Sequence, residues 1–108
     1  MGTAMGWLTL VAAGLVEIAW ALSIRPTENF TRPVPTLLCL ALCVGAVYLL
    51  SRAMTTVPVG TAYAVFTGIG AIGTITVGMA IGREPVTCGR IAALTLIVSG
   101  VVLARVTA

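Results

Sequence analysis

The chain has 108 residues, of which 59% are hydrophobic and only 8% are charged, with a formal net charge of +3. A water-soluble domain of this size does not carry so much apolar surface, so the composition indicates an integral membrane protein. The basic residues are arginines spread along the chain, without a basic stripe that alternates with aromatic residues, so nucleic-acid binding is not expected.

The first predicted element is a membrane-spanning helix over about residues 5–24, which the pair Arg25-Pro26 ends. About 20 apolar residues at about 1.5 Å rise each are enough to cross a bilayer. One acid, Glu17, lies well inside this run. A charge at that depth costs at least about 2.5 kcal/mol, so an intramembrane acid marks a functional site by default. The alternative is a structural acid that its neighbours satisfy or that stays protonated.

Residues three or four positions from Glu17 share its face of the helix, and they include Ala13, Gly14, Trp20 and Ala21. The small residues leave room next to the carboxylate, and Trp20 supplies a flat π face and an N–H donor. A carboxylate beside an aromatic wall suits a planar or hydrophobic cation.

A polar link leads to a second predicted helix over about residues 34–54, which Pro33 and Pro35 open. Cys39 and Cys43 lie four residues apart on this helix, and the chain has no histidine to complete a metal site. We therefore expect these cysteines to be small packing residues, and we expect neither a metal nor a cofactor.

The third predicted helix covers about residues 59–81 and carries two aromatic residues on one side, Tyr63 and Phe66. The Tyr63 hydroxyl could hydrogen-bond a buried carboxylate on a facing helix. Ordinary packing inside the bundle is an equal alternative for both rings.

Glycines are densest in the same helix, at Gly68, Gly70 and Gly73. Such a density allows another helix to approach closely, and it also permits a kink that differs between two conformations. The sequence leaves both interpretations open.

The fourth predicted helix covers about residues 87–106, where Ala93 and Gly100 lie seven residues apart. Small residues on one stripe are typical of a dimer contact between helices, although packing within one subunit would use them equally well. The four spans together predict an all-α membrane protein with a single four-helix transmembrane domain over residues 1–108.

The arginines give a weak orientation signal. Arg52 and Arg105 fall at one membrane surface, and the other surface receives Arg25, Arg32, Arg83 and Arg90. So small a bias permits insertion in both directions, which would let two identical copies pair antiparallel, as the inverted repeats of larger transporters do.

The chemistry of a single buried carboxylate is limited but sufficient for exchange. Glu17 can hold a proton or a cation, and hardly both at once, so a site alternately open to each side would couple the two. The sequence contains no ATP-binding loop, no metal cluster and no nucleophile–base pair. An enzyme is therefore not expected.

Several segments resemble the small multidrug resistance family in order and spacing. They are AGLVEIAWAL (13–22), ENFTRPVPT (28–36), VPVGTAYAVFTGIGAIGT (57–74), GREP (82–85) and ALTLIVSGVVL (93–103). The tryptophan three residues after the acid and the run PVGTAYAVFTGIGA are similar to the guanidinium-exporter branch.

The resemblance implies an antiparallel dimer in the bacterial inner membrane that exchanges protons for small cations. Glu17 would be the shared proton and substrate site, Trp20 and Tyr63 would line it, and the helix-4 segment would form the dimer contact. The resemblance also implies that Gly68, Gly70 and Gly73 allow helix 3 to kink.

Two positions depart from the branch pattern, with Ala46 in place of the usual serine and Phe66 in place of the usual tryptophan. Phe66 in this setting also resembles subunits of the paired family members, which work as heterodimers. The loss of polar donors favours substituted guanidiniums or quaternary ammonium compounds. The alternatives are thus a quaternary ammonium or multidrug exporter, one half of a heterodimer, and a non-transporting membrane accessory subunit.

Overall fold

The computed structural model describes residues 3–107, and four long helices make up most of this part of the chain. They are α1 (Thr3–Ile24), α2 (Pro33–Ala53), α3 (Val59–Ala80) and α4 (Cys88–Thr107). A 3-10 turn, Arg25–Thr27, follows α1, and no strand occurs within the described residues. Each long helix is long and apolar enough to cross a membrane, so the predicted all-α, four-span architecture is confirmed. A single domain over 1–108 stays a prediction, because residues 1, 2 and 108 lie outside the described part.

The ends of the helices follow from local chemistry. Pro33 is the first residue of α2 and follows an extended Arg32, a position where a proline loses no helical hydrogen bond. Thr87 caps α4, because its hydroxyl accepts the N–H of Arg90 at 3.2 Å. At the end of α3, Gly82 adopts a left-handed φ of 77°, and Arg83 N–H donates to the Gly78 carbonyl at 2.9 Å. This is the Schellman arrangement, which favours glycine.

The loop between α1 and α2 contains three consecutive non-glycine residues with positive φ. Glu28, Asn29 and Phe30 have φ values of 48°, 63° and 66°. This backbone region is unfavourable for residues with a Cβ, so other interactions must hold it. Thr27 supplies them: its side chain is fully buried, its hydroxyl donates to the Ile24 carbonyl at 2.6 Å, and the same oxygen accepts the Phe30 N–H at 3.1 Å.

Replacing Thr27 with valine is expected to lower the free energy of unfolding by about 1–3 kcal/mol, because the Phe30 N–H loses its acceptor in a partly buried loop. Chemical unfolding in detergent micelles measures the change. The control is Thr31→Val in the same loop, whose exposed hydroxyl donates only to the Glu28 carbonyl. Equal effects of the two variants would contradict this role of Thr27.

The first helix holds the bundle together. α1 packs against both α2 and α3, whereas α2 and α3 touch each other only slightly. Four alanines, Ala13, Ala46, Ala53 and Ala62, are at most 1% exposed in this core. Small residues at such interfaces let helix backbones approach closely, which is the main source of helix association in lipid.

The fourth helix lies at the edge of the bundle. Within the described chain its backbone approaches only α3, and α4 contributes no buried residue. Its contact with α3 is close at Gly68, where an added Cβ would lie 2.6 Å from Cγ2 of Val101. Most of the α4 surface is therefore available to lipid or to another chain.

Candidate functional site

Glu17 lies on the side of α1 that faces α3. Its Cγ rests against Gly70, where an added Cβ would lie only 2.6 Å away. Gly70 is buried, so this contact requires a residue without a side chain. The carboxylate arm of Glu17 thus lies along the α3 backbone, inside the membrane-spanning part of the bundle.

Glu17 lines a cavity of about 250 Å³. All three packed helices line it: Glu17 and Trp20 from α1, Cys43, Ala46, Val47 and Leu50 from α2, and Tyr63 and Phe66 from α3. Five residues singled out in the sequence therefore meet at one cavity: Glu17, Trp20, Ala46, Tyr63 and Phe66.

The helices contribute residues of different polarity to this cavity. Glu17 is the one charged residue among the lining residues, and the α2 wall is apolar. Within residues 3–107, no hydrogen bond or ion pair reaches the Glu17 carboxylate, and the one ion pair there joins Arg90 and Glu84 at 3.0 Å. A carboxylate in an apolar cavity is stable only with a partner or a proton, so this one can accept a cation or a proton from outside the chain.

The aromatic residues form a second wall. The rings of Tyr63 and Phe66 have centroids 6.4 Å apart with an interplanar angle of 37°. Phe66 is only 6% exposed, whereas Tyr63 is 57% exposed at the open side of the cavity. The Tyr63 hydroxyl does not hydrogen-bond the Glu17 carboxylate in this conformation, although the sequence made such a bond possible.

Gly14 does not join the cavity. A Cβ at Gly14 would meet Ile69 of α3, with 2.6 Å to its Cγ2, so the space next to Gly14 is filled by that side chain. Gly14 thus allows close packing between α1 and α3 one turn away from the acid.

Sequence reasoning missed three residues of the α2 wall: Cys43, Val47 and Leu50. Together with Ala46 they follow the spacing of one helical face, in which every third or fourth residue points the same way. This spacing alone could not distinguish the cavity wall in the sequence, because most positions on every face of α2 are apolar.

The glycines of α3 contact two different helices. Gly70 meets Glu17 and Gly73 meets Ile18, both on α1, whereas Gly68 faces α4. The helix is continuous from Val59 to Ala80. These contacts explain the glycines through close packing, and the kink stays a prediction.

Ala93 and Gly100, the predicted dimer contact, are both exposed on α4. A Cβ at Gly100 would meet nothing within 4 Å. Neither residue is therefore used for packing inside the described chain.

Four apolar helices, three of which line a cavity with one intramembrane carboxylate, define a multi-pass membrane transporter. A family model described as Small Multidrug Resistance protein matches residues 5–97, and the chain belongs to this family. The resemblance found in the sequence is thereby confirmed. With four spans and relatives from enteric bacteria, the chain is a multi-pass protein of the bacterial inner membrane.

Individual relatives align with most of this chain and with most of their own length. A protein of Citrobacter freundii named guanidinium exporter is 43% identical over 98 residues, which are 91% of this chain and 93% of the relative. A protein of Yersinia pestis with the same name is 42% identical over 98 residues, covering 91% of this chain and 94% of the relative.

Proposed function

We propose that this protein is a proton-coupled antiporter that exports small cations of the guanidinium class, with Glu17 as the site that proton and cation share. The observation that carries the proposal is the Glu17 carboxylate, which lines an intramembrane cavity and has no partner among the described residues. The names of the relatives support the choice of substrate class. We infer transport rather than enzymatic catalysis from the same relatives.

The lining residues and the volume of the cavity suit a small planar cation. A guanidinium ion is flat and can donate two parallel N–H bonds to one carboxylate, which fixes its orientation. The faces of Trp20, Tyr63 and Phe66 offer π surfaces to such a cation. A cavity of about 250 Å³ holds guanidinium with space for a small substituent.

Coupling follows from competition at a single group. A protonated Glu17 offers no charge to the cation, and a bound cation displaces the proton. If the cavity opens alternately to the two sides of the membrane, inward movement of protons then drives outward movement of the cation. The glycines Gly68, Gly70 and Gly73 would allow α3 to bend during this exchange.

We further propose that the functional unit is an antiparallel dimer, formed with an identical copy or with a paralogous subunit. One chain leaves the cavity open at Tyr63 and leaves the Ala93 and Gly100 side of α4 uncovered. A second chain would close the cavity and cover this stripe of small residues.

The substrate class is tested by solid-supported membrane electrophysiology on proteoliposomes, with guanidinium, methylguanidinium and tetraethylammonium applied side by side. We expect currents with the two guanidinium compounds, because both can donate two N–H bonds to Glu17, and much weaker currents with the ammonium compound, which has no N–H. Currents with tetraethylammonium alone would favour the quaternary ammonium exporter.

The same recording separates the remaining alternatives. A chain that is silent by itself but active with a co-expressed paralogue is half of a heterodimer. A chain that stays silent with every paralogue and every cation is an accessory subunit, which would contradict the proposed transport.

A further inference from the structure

A second, larger cavity lies between α1, α3 and α4. This groove has a volume of about 550 Å³ and shares no lining residue with the Glu17 cavity. Its walls include Trp7 and Val11 from α1, Ile69 from α3, and Val102 and Arg105 from α4. Because α4 approaches only α3, the groove is open along the gap between α1 and α4.

The groove is apolar except at one end. Arg105 is its one charged lining residue, and the Arg105 Cζ lies 4.8 Å from the centroid of the Trp7 ring. This cation–π contact holds the guanidinium at the mouth of the groove. Among residues 3–107, no carboxylate lies within ion-pair distance of Arg105. The mouth therefore carries a positive charge that the described chain does not neutralise.

The deep end of the groove lies about one leaflet below the membrane surface. Along α3 it reaches Ile69, ten residues after the helix begins at Val59. At about 1.5 Å per residue this is about 15 Å, or half of the roughly 30 Å hydrocarbon thickness. The charged end thus lies at headgroup level, and the apolar end lies near the middle of the membrane.

We propose that this groove binds an anionic phospholipid, with its phosphate on Arg105 and one acyl chain along Val11, Ile69 and Val102. The charge at the mouth and the apolar wall one leaflet deep complement the two parts of such a lipid. An apolar helix of another chain would fill the wall but would bring no anionic partner to Arg105.

The lipid and a partner subunit would occupy adjacent surfaces of α4. α3 and α4 meet where Gly68 contacts Val101, and the groove lies on the α1 side of this contact. Gly100 belongs to a neighbouring depression with Ala64, Gly68 and Ile97, and Val101 lies between this depression and the groove and lines both. A partner seated on Gly100 would leave the α1 side facing lipid.

Native mass spectrometry tests the proposal. The purified protein is exchanged into micelles with equal amounts of phosphatidylglycerol and phosphatidylcholine that carry identical 16- and 18-carbon chains. We expect the wild-type protein to retain phosphatidylglycerol at least fivefold over phosphatidylcholine, and Arg105→Gln to reduce this ratio to about one, because the favourable contact of one cation with an anionic lipid is worth about 1 kcal/mol. Arg105→Lys, which keeps the charge, is expected to retain most of the preference.

Arg52 provides a matched control. It lies at the same membrane surface in the last turn of α2 and also stacks on an aromatic ring, with its Cζ 5.9 Å from the centroid of Tyr48. It does not line the groove. Arg52→Gln is therefore expected to keep the preference for phosphatidylglycerol, and an equal loss in both glutamine variants would overturn the proposal in favour of a general charge effect.

A variant with a larger side chain in the groove tests the proposed position of the acyl chain. Val102→Phe leaves Arg105 in place and is expected to reduce the retention of both lipids. Unchanged retention would overturn the proposed seat of the acyl chain. A shift of the oligomeric mass without a change in retained lipid would instead identify a second copy of the chain as the occupant, and would also overturn the proposal.

Discussion

Glu17→Gln is expected to abolish guanidinium-evoked currents in proteoliposomes while the protein still folds. Glutamine has nearly the same shape as glutamate, but it carries no charge and cannot exchange a proton. Loss of one partner from a desolvated charge pair costs about 2–5 kcal/mol, which corresponds to a loss of binding by a factor of at least about 30. Because proton and cation share this group, transport should fall to background.

The dependence on pH gives a second measurement of the same prediction. In the wild-type protein, protons compete with guanidinium, so the apparent affinity should weaken as the pH falls, by up to about tenfold per unit once the carboxyl is mostly protonated. In Glu17→Gln this dependence should disappear from any residual binding. The control is Glu28→Gln, which changes an exposed acid in the loop between α1 and α2. Currents of wild-type size in Glu17→Gln would refute both the site and the proposed coupling.

The second large effect is expected at Gly70, where alanine should weaken the apparent affinity for guanidinium by at least about fivefold. The new Cβ would lie 2.6 Å from the Glu17 Cγ, so the acid or α3 must move. Overpacking of this kind costs about 1–3 kcal/mol, and here the cost falls on the residue that binds the cation. Isothermal titration in detergent measures the affinity without a requirement for turnover.

Gly60→Ala is the matched control for this substitution. Gly60 lies in the same helix, and a Cβ there meets nothing within 4 Å. Both substitutions gain helix propensity of up to about 1 kcal/mol, so a difference between them reports the contact with Glu17 and not the helix. If both variants bind guanidinium like the wild-type protein, the close approach of α3 does not position the carboxylate.

The sequence was most informative where a single residue broke a strong pattern. Four apolar runs predicted four spans, and a lone acid within one of them identified Glu17 without knowledge of its surroundings. Trp20 followed from its place one turn along the same helix. Tyr63 and Phe66 required the assumption that α3 faces α1, and the structure places both beside the acid. Ala46 came to notice only through the family resemblance, because an alanine in an apolar helix carries no signal of its own.

The remaining features depend on how the helices are rotated against one another. Three glycines of α3 looked equivalent in the sequence, yet Gly70 meets Glu17 whereas Gly68 meets α4. Gly14 was expected to leave space beside the acid, but Ile69 of α3 fills that space. The left-handed turn at residues 28–30 was likewise hidden, since it contains no glycine and depends on the buried hydroxyl of Thr27.

The slight contact between α2 and α3 has a mechanical consequence. The Glu17 cavity straddles the cleft between these two helices, both of which are held mainly by α1. Opening this cleft would separate α2 from α3 where their backbones approach each other only slightly. A substrate larger than guanidinium would therefore meet little resistance from direct packing between α2 and α3, and the close glycine contacts between α1 and α3 would be the main restraint on widening the cavity.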